Sequence, residues 1–98
     1  MTITKNRTGS KLEIVLEGRL DTTTAPQLET ELKEEISDVK ELRLDFTDLA
    51  YISSAGLRVL LSAQKIMNRQ GSMVICNANE DVMDVFDVTG FIDILTIE

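Results

Sequence analysis

Apolar and polar residues alternate in two stretches of the chain, and each alternation predicts a half-buried β-strand. Residues 11–17 place an apolar side chain at every second position, and residues 41–46 repeat the pattern. The turn-forming residues 8–10 precede the first stretch, so we expect it to pair with residues 2–7 as a hairpin. Residues 73–76 are uniformly apolar, which predicts a strand at the centre of the sheet with both faces buried.

Apolar residues spaced three or four apart predict three helices between and after these strands. The first begins at Thr24, whose hydroxyl can cap it in a capping box completed by Gln27. The second begins near Ser54, and the third begins at the capping residue Asn79 and ends at Gly90. The inward faces are expected to consist of Leu28, Leu32 and Ile36 in the first helix, of Leu57, Leu60, Leu61, Gln64 and Met67 in the second, and of Val82, Val85 and Phe86 in the third.

Strands that alternate with helices of crossover length predict right-handed βαβ units and a largely parallel sheet. We therefore expect one α/β domain over residues 1–98, with a four- or five-stranded, mostly parallel mixed sheet packed against three to four helices. Residues 92–97 would supply a last short strand or a strand-like tail. The carboxyl ends of parallel strands lie along one rim, so residues 21–24, 48–54 and 77–79 should be neighbours. These segments are rich in hydroxyls, amides and carboxylates, which indicates either a site or a set of ordinary helix caps.

The composition limits the classes of partner. The net charge is −7 and no cluster of lysine or arginine is present, which weighs against nucleic acid and anionic membranes. No apolar run is long enough to span a bilayer, and residues 1–7 lack the apolar block of a signal peptide. The single cysteine, Cys76, lies in an apolar stretch. We expect a cytoplasmic protein without direct nucleic-acid binding or membrane insertion.

Common catalytic arrangements find no support in the sequence. The absence of histidine excludes a Ser-His-Asp triad and weakens any metal site, and no glycine-rich phosphate loop is present. Gly56 follows Ser54 as in a nucleophile elbow, but Ile52 occupies the earlier glycine position. Asp81, Asp84 and Asp87 recur on one helix without the loop of a calcium site, so a solvated face is expected. The sequence predicts no catalytic residue, cofactor or metal.

The start of the second helix remains the candidate functional position. Backbone N–H groups without intrahelical partners and the positive end of the helix dipole meet there. A serine at such a position either caps the helix or carries a phosphate that these groups stabilise. The sequence pattern by itself leaves both interpretations open.

Five segments of the chain resemble the STAS-domain family, specifically the bacterial anti-sigma-factor antagonists, and the resemblance extends over nearly the whole chain. The order and spacing of the segments carry it. They are Gly18-Arg19-Leu20-Asp21-Thr22-Thr23-Thr24-Ala25, Leu44-Asp45-Phe46-Thr47-Asp48-Leu49-Ala50-Tyr51-Ile52, Ser53-Ser54-Ala55-Gly56-Leu57, Gly71-Ser72-Met73-Val74-Ile75-Cys76-Asn77 and Val85-Phe86-Asp87-Val88-Thr89-Gly90-Phe91.

The resemblance implies a role in partner switching. In such systems the unmodified antagonist binds an anti-sigma factor that is also a serine kinase, and this binding frees the sigma factor. Phosphorylation by the kinase releases the antagonist, and a metal-dependent serine phosphatase resets the cycle. Nucleotide and magnesium belong to the kinase.

The resemblance also implies an acceptor. The family's acceptor serine lies in an Asp-Ser-Ser/Thr-Gly-Leu motif, and aligning the motif on Gly56 places Ser54 at the acceptor position, with Ser53 in place of the aspartate. Ser53 is a competing acceptor if the loop register differs. Asp21 matches the family's aspartate after the second strand, where we expect it to shape the acceptor loop. The expected acceptor and partner-binding rim consists of Asp21, Thr22, Thr23, Ser53, Ser54, Gly56 and Asn77.

Two alternatives accompany this hypothesis. The chain could be a constitutive STAS scaffold in a signalling or lipid-transport assembly, with Ser54 serving only as a helix cap. A weaker alternative is a small nucleotide-binding or hydrolytic protein that uses the same rim.

Overall fold

A mixed four-stranded sheet forms the framework of the structure, a computed structural model that describes residues 1–98. The strands lie in the order β1-β2-β3-β4, with β1 antiparallel to β2 and the other pairs parallel. The predicted hairpin and mostly parallel sheet are therefore confirmed. The strands are β1 (Thr2–Thr8), β2 (Lys11–Leu20), β3 (Glu41–Ile52) and β4 (Ser72–Cys76).

Three α-helices connect and follow the parallel strands, as the apolar spacing predicts. They are α1 (Ala25–Glu35), α2 (Ser54–Gln70) and α3 (Glu80–Thr89), and short 3-10 helices extend over Ile36–Asp38 and Phe91–Asp93. None of the helices combines the length and the apolar character needed to cross a bilayer.

One hydrophobic core of 24 buried residues lies between the sheet and the helices. The alternating positions of β2 and β3 supply it with side chains such as Ile14 and Leu44, both fully buried. On α2 the inward face differs slightly from the prediction: Leu61 is only half-buried, while Val59 and Ala63 are buried. Relative to the predicted orientation, the helix is rotated about its axis so that Val59 and Ala63 also pack inward.

The strand β3 is longer than the sequence predicts, because residues 48–52 continue the strand and do not form a loop. Two irregularities in the pairing with β2 explain the difference. Val15 and Glu17 pair with Asp45 and Asp48, so β3 holds an extra residue there, and a second shift follows Gly18. Each bulge interrupts the alternation of apolar and polar residues along β3. The end of the strand therefore cannot be predicted from that alternation.

The position of β4 corrects a second prediction, since β4 lies at the edge of the sheet and not at its centre. Its outer side is covered by the end of the chain. The Ile75 amide donates to the Thr96 carbonyl oxygen at 2.9 Å, and the Glu98 amide donates to the Ile75 carbonyl oxygen at 2.9 Å. Ile97 forms an isolated parallel bridge with Ile75. The tail thus shields the apolar strand without forming a regular fifth strand.

Candidate functional site

The two serines at the end of β3 occupy different environments. Ser53 is the N-cap residue of α2, with extended backbone, and Ser54 is the first residue of the helix. The Ser53 hydroxyl oxygen is buried and has no hydrogen-bond partner, whereas Ser54 is exposed. The expectation that Ser54 could serve as the helix cap is therefore wrong, because Ser53 holds that position.

No side chain caps the amino-terminal end of α2. The Ser53 carbonyl oxygen accepts the first intrahelical bond, from the Leu57 amide at 3.0 Å, but the Ser53 hydroxyl accepts none. The first-turn amides before Leu57 consequently keep no side-chain acceptor. A helix end in this condition favours negative charge beside it.

The segment after β2 is organised around the carboxylate of Asp21. Asp21 Oδ1 accepts from the Thr23 amide at 3.0 Å, from the Thr23 hydroxyl at 2.7 Å and from the Thr24 amide at 3.2 Å. These bonds, and above all the one from the Thr23 hydroxyl, hold the pKa of Asp21 below its ordinary value. Asp21 therefore shapes its own loop, and no bond joins its side chain to Ser53 or Ser54.

Thr24 does not cap α1 in the predicted way. Its hydroxyl donates to the Arg19 carbonyl oxygen at 2.7 Å and accepts from the Asp21 amide at 2.8 Å, so it is not available to the helix. The capping box with Gln27 is consequently absent. The Asp21 carbonyl oxygen instead accepts from the Ala25 amide at 2.8 Å.

The first two rim segments meet, as the topology predicts. The Ser53 amide donates to the Leu20 carbonyl oxygen at 2.9 Å. A Cβ at Gly56 would lie 2.7 Å from Leu20 Cγ and 2.9 Å from Ile52 Cγ1, so only glycine allows α2 to begin this close to the strands. Gly56 is buried and shapes the rim from beneath. A cleft of about 200 Å³ lies here, lined by Thr22, Ala25, Pro26, Glu29, Ala55, Arg58 and Val59.

The third segment meets the second at Leu49, as predicted, but its bonds go to β3 and not to the serines. Asn77 Nδ2 donates to Asp45 Oδ1 at 3.3 Å, and Asn79 Nδ2 donates to the Leu49 carbonyl oxygen at 3.0 Å. Asn79 also caps α3 by accepting from the Val82 amide at 2.8 Å, as predicted. No side-chain hydrogen bond of this segment reaches Ser53, Ser54 or the Asp21 loop.

A cation–π pair beside the rim, between Arg19 and Tyr51, was not predicted from the sequence. The guanidinium carbon of Arg19 lies 4.3 Å from the centroid of the Tyr51 ring, and Arg19 Nε lies 3.8 Å from Asp21 Oδ2. Tyr51 is 39% exposed, so the pair is accessible at the surface. Arg19 and Tyr51 are opposite each other only because of the second bulge, and this register cannot be read from the spacing of residues.

The structure is a small α/β domain with a parallel βαβ core and an antiparallel hairpin at one edge of the sheet. Its candidate site is the serine-bearing start of α2. The chain belongs to the STAS domain family, whose sequence profile matches residues 2–98. The family resemblance is therefore confirmed.

Named relatives and solved structures agree with this assignment. The chain is 39% identical to BtrV of Bordetella bronchiseptica, over 99% of this chain and 85% of that protein. It is 34% identical to the anti-sigma-B factor antagonist of Listeria monocytogenes, over 96% of this chain and 84% of that protein. The fold is similar to the anti-sigma factor antagonist SpoIIAA in its unphosphorylated form, with a TM-score of 0.78 at 18% identity over 99% of this chain and 87% of that one. SpoIIAA of Bacillus in its phosphorylated form gives a TM-score of 0.77 at 19% identity over 99% of this chain and 91% of that one.

Proposed function

We propose that this protein is an anti-sigma factor antagonist, a binding protein and not an enzyme, that is switched by phosphorylation of Ser54. One observation carries the choice of residue: Ser54 is exposed at the start of α2, while the neighbouring Ser53 hydroxyl is buried. A kinase must reach the hydroxyl that it modifies, so this difference favours Ser54 over Ser53. The names of the relatives support the class of protein.

The proposed partner is an anti-sigma factor with serine kinase activity. It would contact the unmodified rim at Ser54 and at the adjoining exposed residues Thr22 and Thr23, whose loop is held in place by Asp21. A serine phosphatase would restore the unmodified form. Asn77, which bonds to Asp45, would contribute at the margin of this surface.

The phosphate would act through charge. It adds about −1.5 to −2 charges at neutral pH. The uncapped start of α2 stabilises such a group, while a partner surface that fits the neutral serine would lose contact or meet repulsion. Ser54 lies at the surface, so the proposed switch would change the charge of the rim and leave the fold intact.

Intact-mass measurement after incubation with a candidate anti-sigma factor kinase and ATP tests the proposal. We expect one phosphate on the unaltered chain and on Ser53→Ala, and none on Ser54→Ala. A phosphate that persists in Ser54→Ala and disappears in Ser53→Ala would assign the acceptor to Ser53. If the unaltered chain and Ser54→Asp bound the anti-sigma factor with equal affinity, the protein would instead be a constitutive scaffold.

A further inference from the structure

Arg58 lies one helical turn after Ser54 on the exposed surface of α2. In a continuous α-helix, residues four apart lie on the same face, with Cβ atoms roughly 5–6 Å apart. Arg58 also lines the cleft at the rim together with Thr22 and Ala55. Its guanidinium is thus placed beside the position that the proposed phosphate would occupy.

Arg58 has no acidic partner in the structure. Six of the ten lysine and arginine residues form ion pairs, namely Lys5, Arg7, Lys11, Arg19, Lys33 and Arg43. The other four are Lys40, Arg58, Lys65 and Arg69. Among these four, only Arg58 lines the cleft beside the rim.

The surroundings of Arg58 explain why its charge is unpaired. Its neighbours three and four residues away along α2 are Ser54, Ala55, Leu61 and Ser62, none of them acidic. The acid that shares the cleft, Glu29, pairs with Lys33 at 3.3 Å on α1. A negative charge on Ser54 would therefore supply the partner that this arginine lacks.

We propose that Arg58 binds the phosphate of phosphorylated Ser54 through an ion pair within α2. This inference rests on the proposed modification of Ser54. Arginine presents a planar donor fork that matches two phosphate oxygens, and an acid placed four residues before a base is the favourable orientation on a helix. Modification would thus convert a surface that presents a free guanidinium into one that presents a phosphate–guanidinium pair.

The pKa of the phosphoserine itself tests this pairing without any kinase or partner. Phosphoserine is incorporated at position 54 during synthesis of the full chain, and its second ionisation is followed by ³¹P NMR. A nearby cation stabilises the dianion, so we expect the phosphoserine pKa to be about 0.15–0.4 unit lower in the unaltered sequence than in Arg58→Gln. Arg58→Lys should retain part of this shift because it keeps the charge but not the fork.

Arg69→Gln is the matched control, since it removes an unpaired arginine from the last turn of the same helix. It should leave the phosphoserine pKa unchanged. Equal pKa values in Arg58→Gln and Arg69→Gln would overturn the proposal. Because the phosphate is installed directly, a higher phosphoserine pKa in Arg58→Gln would uphold the ion pair even if no kinase modified Ser54. Failure of the proposed function is thereby distinguished from failure of this inference.

Discussion

Two glutamines on α2, Gln64 and Gln70, have opposite environments. Gln64 is buried, and its Oε1 has no hydrogen-bond partner, although its Nε2 donates to Asn68 Oδ1 at 2.8 Å. Gln70 Nε2 donates to the carbonyl oxygens of Ile36 and Val39 at 2.6 and 2.7 Å. A buried amide oxygen without a partner costs free energy. The Gln70 amide, in contrast, is the only donor to the Val39 carbonyl oxygen and adds a second donor to the Ile36 carbonyl oxygen, which also accepts from the Val39 amide at 3.1 Å.

The same substitution should therefore change stability in opposite directions at these positions. We expect Gln64→Leu to raise the free energy of unfolding by about 1 kcal/mol, because it removes an unpaired polar atom from the core. Gln70→Leu should lower it by about 1–3 kcal/mol, because the Val39 carbonyl oxygen loses its only hydrogen-bond donor, whereas the Ile36 carbonyl oxygen keeps the Val39 amide. Urea denaturation measures both, and a loss of stability in Gln64→Leu as large as in Gln70→Leu would show that the Gln64 amide is satisfied in solution.

Gly56 is the residue that fixes how closely α2 approaches the strands. Gly56→Ala should lower the free energy of unfolding by about 1–2 kcal/mol, since the strain of forcing a methyl against Leu20 and Ile52 exceeds the gain in helix propensity. Ser62→Ala, on the exposed side of the same helix, should stay within about 0.5 kcal/mol of the unaltered chain. Chemical denaturation of the two variants tests this. An unchanged free energy of unfolding in Gly56→Ala would mean that the helix start can shift away from the strands.

At the scale of elements, the loop between β2 and α1 is held by one ionised carboxylate. The pKa of Asp21 is lowered chiefly by the Thr23 hydroxyl, so the folded pKa lies below the unfolded value of about 4. The stabilisation is fully present above that value and is lost as the pH falls through the folded pKa. Hydrogen bonds from Thr47 and Asn77 lower the pKa of Asp45 in the same way.

Carboxyl NMR titration checks the source of the Asp21 shift. Thr23→Val should raise the pKa of Asp21 toward its ordinary value, because it removes the hydroxyl donor at 2.7 Å. Thr22→Val is the control, since the Thr22 side chain makes no hydrogen bond to Asp21, and it should leave the pKa unchanged. Equal effects of the two substitutions would indicate that general disorder of the loop, and not one bond, controls the titration.

The strands also show which parts of the fold can be predicted from the sequence. Regular alternation identifies the first halves of β2 and β3, because one buried face imposes a period of two. Beyond Phe46 the buried residues of β3 are Leu49 and Ile52, three positions apart, since each bulge adds a residue. The same bulges bring Arg19 opposite Tyr51, and the strand continues to Ile52, directly before the N-cap residue Ser53. Burial of β4 likewise depends on the distant tail, which no local pattern reveals.

At the scale of the whole molecule, the proposed switch is separate from the structural core. The core is one apolar cluster, and Ser54 lies outside it at the surface. The cluster includes the neighbouring α2 residue Val59, which is 5% exposed. A charge on the exposed position meets solvent, the helix dipole and Arg58, whereas a charge on the buried position would lose most of its solvation.

Ser54→Asp should accordingly leave the far-ultraviolet circular dichroism unchanged and the free energy of unfolding within about 1 kcal/mol of the unaltered chain. Val59→Asp places the same group in the core on the same helix and should cost several kcal/mol, a large part of the stability of an ordinary domain. Thermal and urea denaturation followed by circular dichroism compare the two variants. If Ser54→Asp lowered the free energy of unfolding as much as Val59→Asp is expected to, negative charge at Ser54 would act by disrupting the fold, and the surface switch proposed for this protein would be wrong.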